Sequence, residues 1–183
     1  MLVQHIYIEP TVRRASLSQF CDMSRVPNPS CGPLPGAKIL FLDGDNSVRR
    51  RPNGTGPEGT NALNAALSEP ELEGVLIVAS GQWKDVLSMD DIRNIFSEGV
   101  STRIVDKTPT MNTEGDTQYK PHVEIHAWLA AHPEIADYCV LEPFWPYEPH
   151  VESAVFIPDG MVFGEAGYEV DALKRIIGNG TSK

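Results

Sequence analysis

The feature that most constrains the fold is residues 37–43, a run in which apolar side chains predominate and an acid stands last. Such a run is typical of a strand that is buried on both faces, as the strands of a parallel sheet are. Similar apolar runs follow at 75–79, 103–105, 138–141 and 154–157. Helical patterns lie between or after them at 60–67, 89–96, 121–131 and 170–177. Strands that alternate with helices form right-handed βαβ units, so the sequence predicts an α/β fold with a parallel sheet of about five strands.

Residues suited to helix starts support three of these helices. Thr60 is predicted to cap the first, and Ser88 to cap the second, with Asp90 and Asp91 in its first turn. Pro121 suits the first turn of the third helix, because proline lacks only an N–H that would be unpaired there anyway.

The chain has 183 residues, 41% of them hydrophobic, which is enough to bury one core. Residues 37–178 contain all the clear strand and helix patterns and are predicted to form the α/β domain. Residues 1–36 are predicted to be an N-terminal extension packed on it, because prolines and glycines concentrate at 26–36. Residues 179–183 are predicted to be a flexible tail.

The chain is acidic, with 15 lysines and arginines against 25 aspartates and glutamates and a net charge of −10. Such a surface repels nucleic-acid phosphates, so we expect a nucleic acid only as an end-bound substrate. A small phosphorylated substrate remains compatible, because a bound cation can reverse the field inside a cleft. No stretch reaches the roughly 18 apolar residues that span a bilayer, and no secretory signal is recognisable, so we expect a cytoplasmic protein without membrane contact. The oligomeric state is left open.

Polar residues end three of the predicted strands. Asp43, Ser80 and Glu142 each follow a buried apolar run directly. In parallel sheets ligands bind beyond the carboxyl ends of the strands, so these residues are candidates for one site. Asp43 and Asp45 lie two residues apart, and two close carboxylates suit a divalent cation or an acid/base pair. A solvated acidic turn is the alternative interpretation of these two acids.

Other polar and aromatic groups leave alternatives open. His122 and His126 flank Glu124 at a spacing that can chelate a metal, but no third ligand is near in the sequence, so a solvated helix face is the favoured interpretation. The arginines at 49–51 could attract phosphate or form a solvated loop. The aromatic residues at 144–147 could stack on a ring or form a packed loop.

Four segments, taken in order, resemble the haloacid dehalogenase-like (HAD) superfamily of phosphohydrolases. They are ILFLDGDNSV at 39–48, VLIVASGQW at 75–83, YKPHVEIHAWL at 119–129 and YCVLEPFW at 138–145. The run EIHAWLAAHP, with the Ser80–Trp83 spacing, is similar to a small, nearly capless branch, some members of which are attached to RNA-repair proteins. The resemblance implies a three-layer Rossmann-like fold with a minimal cap.

The resemblance also implies a mechanism and a cofactor. Asp43 would be the nucleophile that forms an aspartyl phosphate, and Asp45 the general acid and base. Mg²⁺ would bind Asp43, the backbone carbonyl of Asp45, and Glu142. Ser80 and Lys120 would hold the phosphoryl oxygens. The expected activity is that of a Mg²⁺-dependent phosphatase, a phosphoric monoester hydrolase.

Two further residues, Asn46 and Gly81, are expected to contact substrate because they adjoin the first and second motifs. Asn46 stands where the family usually has glycine, and Glu142-Pro143 stands where it commonly has paired acids. Glutamate is one methylene longer than aspartate, and Mg²⁺ demands near-ideal octahedral geometry. The alternative function is therefore a catalytically weak or inactive HAD-like domain that binds a ligand or a protein.

Overall fold

The computed structural model describes residues 36–48, 58–111, 121–142, 151–158 and 161–178. For Asp45, Asn46, Glu142 and Val151 the description covers the backbone alone. The predicted N-terminal extension at 1–36, except Gly36, and the predicted tail at 179–183 lie outside these ranges.

The described ranges contain strands and helices in alternation, as the sequence predicts. In chain order they are β1 (Lys38–Asp43), α1 (Gly44–Ser47), α2 (Glu58–Leu67), β2 (Val75–Ser80), α3 (Trp83–Val86), α4 (Met89–Asn94), α5 (Glu98–Ser101), β3 (Ile104–Lys107), α6 (Pro121–Ala131), β4 (Asp137–Glu142), β5 (Ala154–Phe156) and α7 (Glu169–Leu173). Short 3₁₀ turns cover Pro70–Leu72 and Val151–Ser153, and a π-helical turn, Lys174–Gly178, continues α7.

The described strands form one sheet of five in the order β3-β2-β1-β4-β5, and every neighbouring pair is parallel. The α/β fold with a parallel sheet is therefore confirmed. β1 lies at the centre, with Asp43 paired to Ser80 of β2 and Leu42 paired to Leu141 of β4. The chain leaves β1 towards β2 and β3 and returns to β4 on the opposite side. The boundary between β1 and β4 is thus the switch point at which such sheets bind ligands.

Both faces of β1 are buried. Leu40 and Leu42 belong to a large core on one face, which α2, α4, α5 and α7 cover. Ile39 and Phe41 belong to a smaller core on the other face, which α6 covers. There Phe41 meets Trp128 of α6 edge to face, with ring centroids 5.4 Å apart. The result is three layers, helix on sheet on helix, as the family resemblance implies.

The N-cap prediction for Thr60 is wrong. Helix α2 is already formed at Glu58, so Thr60 lies inside its first turn. Gly59, in this first turn, lies so close to the end of α1 that a Cβ there would lie 2.5 Å from the carbonyl oxygen of Val48. The close approach of α2 to the end of α1 is a long-range contact that the local pattern around Thr60 does not reveal.

The other helix predictions agree better with the structure. Ser88 caps α4 in a capping box with Asp91, whose side chain also accepts from the Ser88 backbone N–H. α6 covers 121–131 as predicted, and the strands end within two residues of the predicted bounds. Helices α3 and α5 were not expected from the sequence. Among the described helices, none is long and apolar enough to cross a membrane.

Candidate functional site

Asp43 and Ser80 are the last residues of neighbouring strands, and their backbones are paired in register. Both side chains are buried: Asp43 is 4% exposed and Ser80 is 0% exposed. The Ser80 hydroxyl oxygen has no hydrogen-bond partner within the described part of the chain. Because a buried hydroxyl without a partner is costly, its position beside a carboxylate is typical of a site completed by a ligand.

The backbone of Gly81 forms one side of this site. Its φ of +94° is a left-handed conformation that residues with a Cβ rarely adopt. A Cβ at Gly81 would also lie 2.5 Å from Oδ1 of Asp43. The backbone of Gly81 therefore lies directly against the Asp43 carboxyl group, and the substrate contact expected of Gly81 stays a prediction.

Trp83 contacts the chain at the ends of both β1 and β2. Its indole Nε1–H donates to the carbonyl oxygen of Ser80. Its six-membered ring packs so closely on Gly44 that a Cβ there would lie 2.6 Å from Cζ2 of the indole. Trp83 is a core residue, with 2% of its surface exposed. Its contact with Gly44, between the two aspartates, was not predicted.

The second aspartate is carried by a helical turn. Asp45 and Asn46 belong to α1, which begins directly after Asp43. Ser47 fixes this turn by donating from its hydroxyl to the carbonyl oxygen of Leu141 in β4, at 3.0 Å. The chain thus turns sharply after Asp43, which is the arrangement in which both aspartates can line one cleft. The side chains of Asp45 and Asn46 lie outside the described part.

Glu142 is the last residue of β4, on the other side of β1 from Ser80. Leu42 pairs with Leu141, and the next residues along these two neighbouring strands are Asp43 and Glu142. Its side chain lies outside the described part, as does the whole of Lys120. The roles of Glu142 and Lys120 therefore remain predictions from the sequence.

A Mg²⁺ ion suits the residues at this edge. Asp43, Asp45 and Glu142 would supply carboxylate or carbonyl oxygens, which are the donors that Mg²⁺ prefers. The buried Ser80 hydroxyl, without a partner among the described residues, indicates that a polar group is received here. Among the side chains that the structure describes, which do not include those of Asp45 and Glu142, no three His, Cys, Asp or Glu residues converge.

A second group of charged side chains, Lys84, Asp85 and Glu124, lies next to the site. The sequence patterns did not predict that these residues would meet. Lys84 of α3 is 0% exposed, and its Nζ lies 3.2 Å from Oε2 of Glu124 and 2.6 Å from Oδ1 of Asp85. Glu124 is 4% exposed, so the interpretation of a solvated helix face is wrong for Glu124, although His126 is exposed. A local pattern could not show this, because the partners lie on different helices.

The electrostatics of this group favour the charged carboxylate at position 85. Burial raises the pKa of Asp85, but hydrogen bonds from Lys84 and Thr110, with the positive charge of Lys84, outweigh it. They hold the pKa of that carboxyl below its ordinary value. Asp85 and Glu124 are thus two acceptors for one buried ammonium group.

The packing of Trp83 on Gly44 predicts a specific clash. In Gly44→Ala the new methyl would meet a buried indole ring, which cannot move away as a flexible chain could. We expect a loss of about 1–3 kcal/mol in unfolding free energy, typical of overpacking, although alanine itself favours the helix. Trp83→Phe removes the outer ring, so Gly44→Ala should cost less in that background. Urea unfolding of the four proteins measures this cycle, and strictly additive losses would contradict the contact.

Comparison with known proteins identifies a family. Residues 39–162 match the family model described as the HAD domain in Swiss Army Knife RNA repair proteins. The match covers most of the chain and includes Asp43, Ser80 and Glu142. No curated protein and no solved structure matches the chain.

Proposed function

The chain belongs to the family of HAD domains in Swiss Army Knife RNA repair proteins, and from this membership we propose that it is a Mg²⁺-dependent phosphohydrolase acting through Asp43. One observation carries the proposal. Asp43 and Ser80 end adjacent parallel strands in register, both buried, with Gly81 lying against the Asp43 carboxyl group. A nucleophile and a phosphoryl-oxygen donor are needed side by side at such an edge.

The reaction would proceed in two displacements at phosphorus. A carboxylate oxygen of Asp43 attacks the phosphorus of a phosphomonoester, and the bond from phosphorus to the leaving oxygen breaks. Asp45 donates a proton to that leaving oxygen. Asp45 then takes a proton from water, which attacks the phosphorus of the aspartyl phosphate. The bond to Asp43 breaks, so inorganic phosphate leaves and the carboxylate is restored.

The residues around Asp43 would bind and orient the phosphoryl group. The Ser80 hydroxyl would donate to one phosphoryl oxygen, and Lys120 would offset negative charge on another. Asp43, the Asp45 carbonyl and Glu142 would hold Mg²⁺, which when bound neutralises charge between the carboxylates and the phosphoryl oxygens. Asn46 and Gly81 would contact the substrate beside the nucleophile. Burial of Asp43 limits access of bulk water and strengthens these interactions.

The substrate class follows from the site and from the family's description. A carboxylate nucleophile with a general acid for the leaving oxygen and Mg²⁺ to offset phosphoryl charge suits a phosphomonoester. Since the family is found in RNA repair proteins, the phosphorylated end of an RNA is a second candidate beside small molecules. The net charge of −10 disfavours contact along the strand. We therefore expect recognition of the terminal phosphate and its nucleotide, with little effect of RNA length.

Replacement of the nucleophile tests the proposal. Asp43→Asn keeps the size of the side chain but removes the attacking carboxylate, so phosphate release should fall by more than about 10³-fold. The assay uses an aryl phosphate, small phosphomonoesters and RNA oligonucleotides with a 3′- or 5′-terminal phosphate, each with Mg²⁺. Asp90→Asn is the matched control, because Asp90 lies on the exposed surface of α4 and its side chain is 89% exposed.

The outcomes separate the two functions. Full activity in Asp43→Asn would refute the mechanism. No release by the unmodified protein from any of these substrates would favour the alternative, a HAD-like domain that binds a ligand or protein without catalysis. That alternative predicts that partner binding does not depend on the Asp43 carboxylate.

Two glycine variants test the placement of Asp43. Gly81→Ala and Gly74→Ala both force alanine into a left-handed conformation, which costs about 1–2 kcal/mol. Only at Gly81 does the added Cβ meet the Asp43 carboxyl group; at Gly74, with φ of +78°, nothing lies within 4 Å. We expect a larger loss of stability for Gly81→Ala, because of this clash, and a fall in turnover per folded molecule of about 10²-fold for Gly81→Ala alone. Equal turnover in the two folded variants would contradict a role for this contact.

A further inference from the structure

Helix α3 has two buried side chains, which make contacts in different parts of the fold. Trp83 donates to the Ser80 carbonyl and packs on Gly44, so it contacts the first and second motifs together. Lys84, the next residue, forms its ion pairs with Asp85 and with Glu124 of α6. Contacts of one short helix therefore join the catalytic edge to the helix layer on the far face of the sheet.

Lys84 is an unusual core residue. A lysine that is 0% exposed loses its hydration, and this loss is offset only by close carboxylates. Glu124 at 3.2 Å and Asp85 at 2.6 Å provide two. Because their negative charges already compensate the ammonium group, little of its field is left for a phosphoryl group. A buried ion pair contributes little stability compared with an apolar pair, and its best-attested use is to specify one arrangement.

The carboxylates extend the network to the segment that leaves β3. Glu124 accepts from the Met111 N–H at 3.1 Å and from the Thr108 hydroxyl at 3.4 Å. The Thr108 N–H donates at 2.9 Å to the carbonyl of Ala79, the residue before Ser80. Lys84 and Glu124 are thus connected to the end of β2 along two routes, one through α3 and one through Thr108.

Side chains at the end of β3 and in the segment after it also contact α3. Lys107, at the end of β3, donates from Nζ to the carbonyl oxygens of Lys84 and Leu87, at 3.0 and 3.3 Å. Asp85 accepts from the Thr110 hydroxyl. The charged groups that face Lys84 within the described residues are therefore Asp85, Glu124 and Lys107, and together with Lys84 they sum to zero.

We propose that Lys84 is a positioning residue for the hydrolysis proposed above. Its ion pair with Glu124 fixes the position of α3 relative to α6. Helix α3 in turn fixes the backbone turn at Ser80 and Gly81 and the Trp83 indole ring that packs on Gly44. Lys84 acts through this arrangement and does not contact the phosphoryl group. The inference rests on the proposed function for its kinetic consequences, and on the hydrogen-bond network alone for its structural ones.

The kinetic test compares Glu124→Gln, Lys84→Met and the double variant with the unmodified protein, on an aryl phosphate with Mg²⁺. Each single variant leaves a buried charge short of its partner, so kcat per folded molecule should fall about 10- to 100-fold while KM changes little. The double variant is neutral and similar in volume, so it should recover most of kcat. A double variant as inactive as Lys84→Met would show that Lys84 acts on the substrate and would overturn the proposal.

A structural measurement does not depend on activity. The Trp83 indole N–H is hydrogen-bonded to Ser80, so its exchange with solvent, followed by NMR and assigned with Trp83→Phe, reports the position of α3. Exchange should accelerate in Glu124→Gln and return towards normal in the double variant. Unchanged exchange in Glu124→Gln would overturn the proposal. Accelerated exchange in a protein without turnover would leave the network standing and reject the proposed function alone.

A second ion pair supplies the control. Lys174 and Glu69 are 3.1 Å apart, partly exposed and outside the site. Lys174→Met removes the same charge and should leave both kcat and the Trp83 exchange unchanged. Should Lys84→Met fail to fold, Glu124→Gln decides the matter, because Lys84 then keeps Asp85. The amide oxygen can still accept from the Met111 N–H, and its NH2 group can donate to the Thr108 hydroxyl oxygen.

Discussion

The rest of the structure depends on the parallel pairing of β1 with β2 on one side and β4 on the other. Because all three strands run in the same direction, their carboxyl ends meet at one edge, and polar residues that follow apolar runs become neighbours. Burial on both faces fixes the register, since a slip of one residue would exchange the two cores. The same pairing that buries the core therefore places Asp43 beside Ser80.

Much of this arrangement could be predicted from the sequence, because it depends on local patterns. Apolar runs in β1, β2 and β4 require two buried faces, and that requirement leads to a parallel sheet with Asp43 and Ser80 at its edge. The predictions failed where distant segments decide the local structure. Helix α2 starts before Thr60, in a turn where Gly59 lies close to Val48 at the end of the preceding helix. Roles predicted for side chains outside the described residues, such as Lys120, stay predictions.

Lys84 and Glu124 show the limit of local patterns most clearly. Nothing next to either residue in the sequence predicts a partner for its charge, and only the tertiary fold brings the two side chains together in the interior. Removal of either partner would leave the other buried charge less compensated. Trp83 illustrates the same point, since its apolar character was predictable but its contact with Gly44 was not. Around Asp43, then, the sequence indicates the reacting groups, and tertiary packing determines how firmly they are held.

The central claim is that Asp43 forms a covalent bond to phosphorus, and trapping that species tests it most directly. An Asp45→Asn variant, supplied with Mg²⁺ and an aryl phosphate whose leaving group needs little protonation, should accumulate the aspartyl phosphate because water is no longer activated. Borohydride reduces an acyl phosphate to an alcohol, so the account predicts homoserine at position 43 by peptide mass spectrometry, and none without substrate. Two results would contradict the account if the wild-type protein releases phosphate. One is an aspartate that stays unchanged at position 43 of the Asp45→Asn variant after borohydride treatment, and the other is a reduced residue at a different acid.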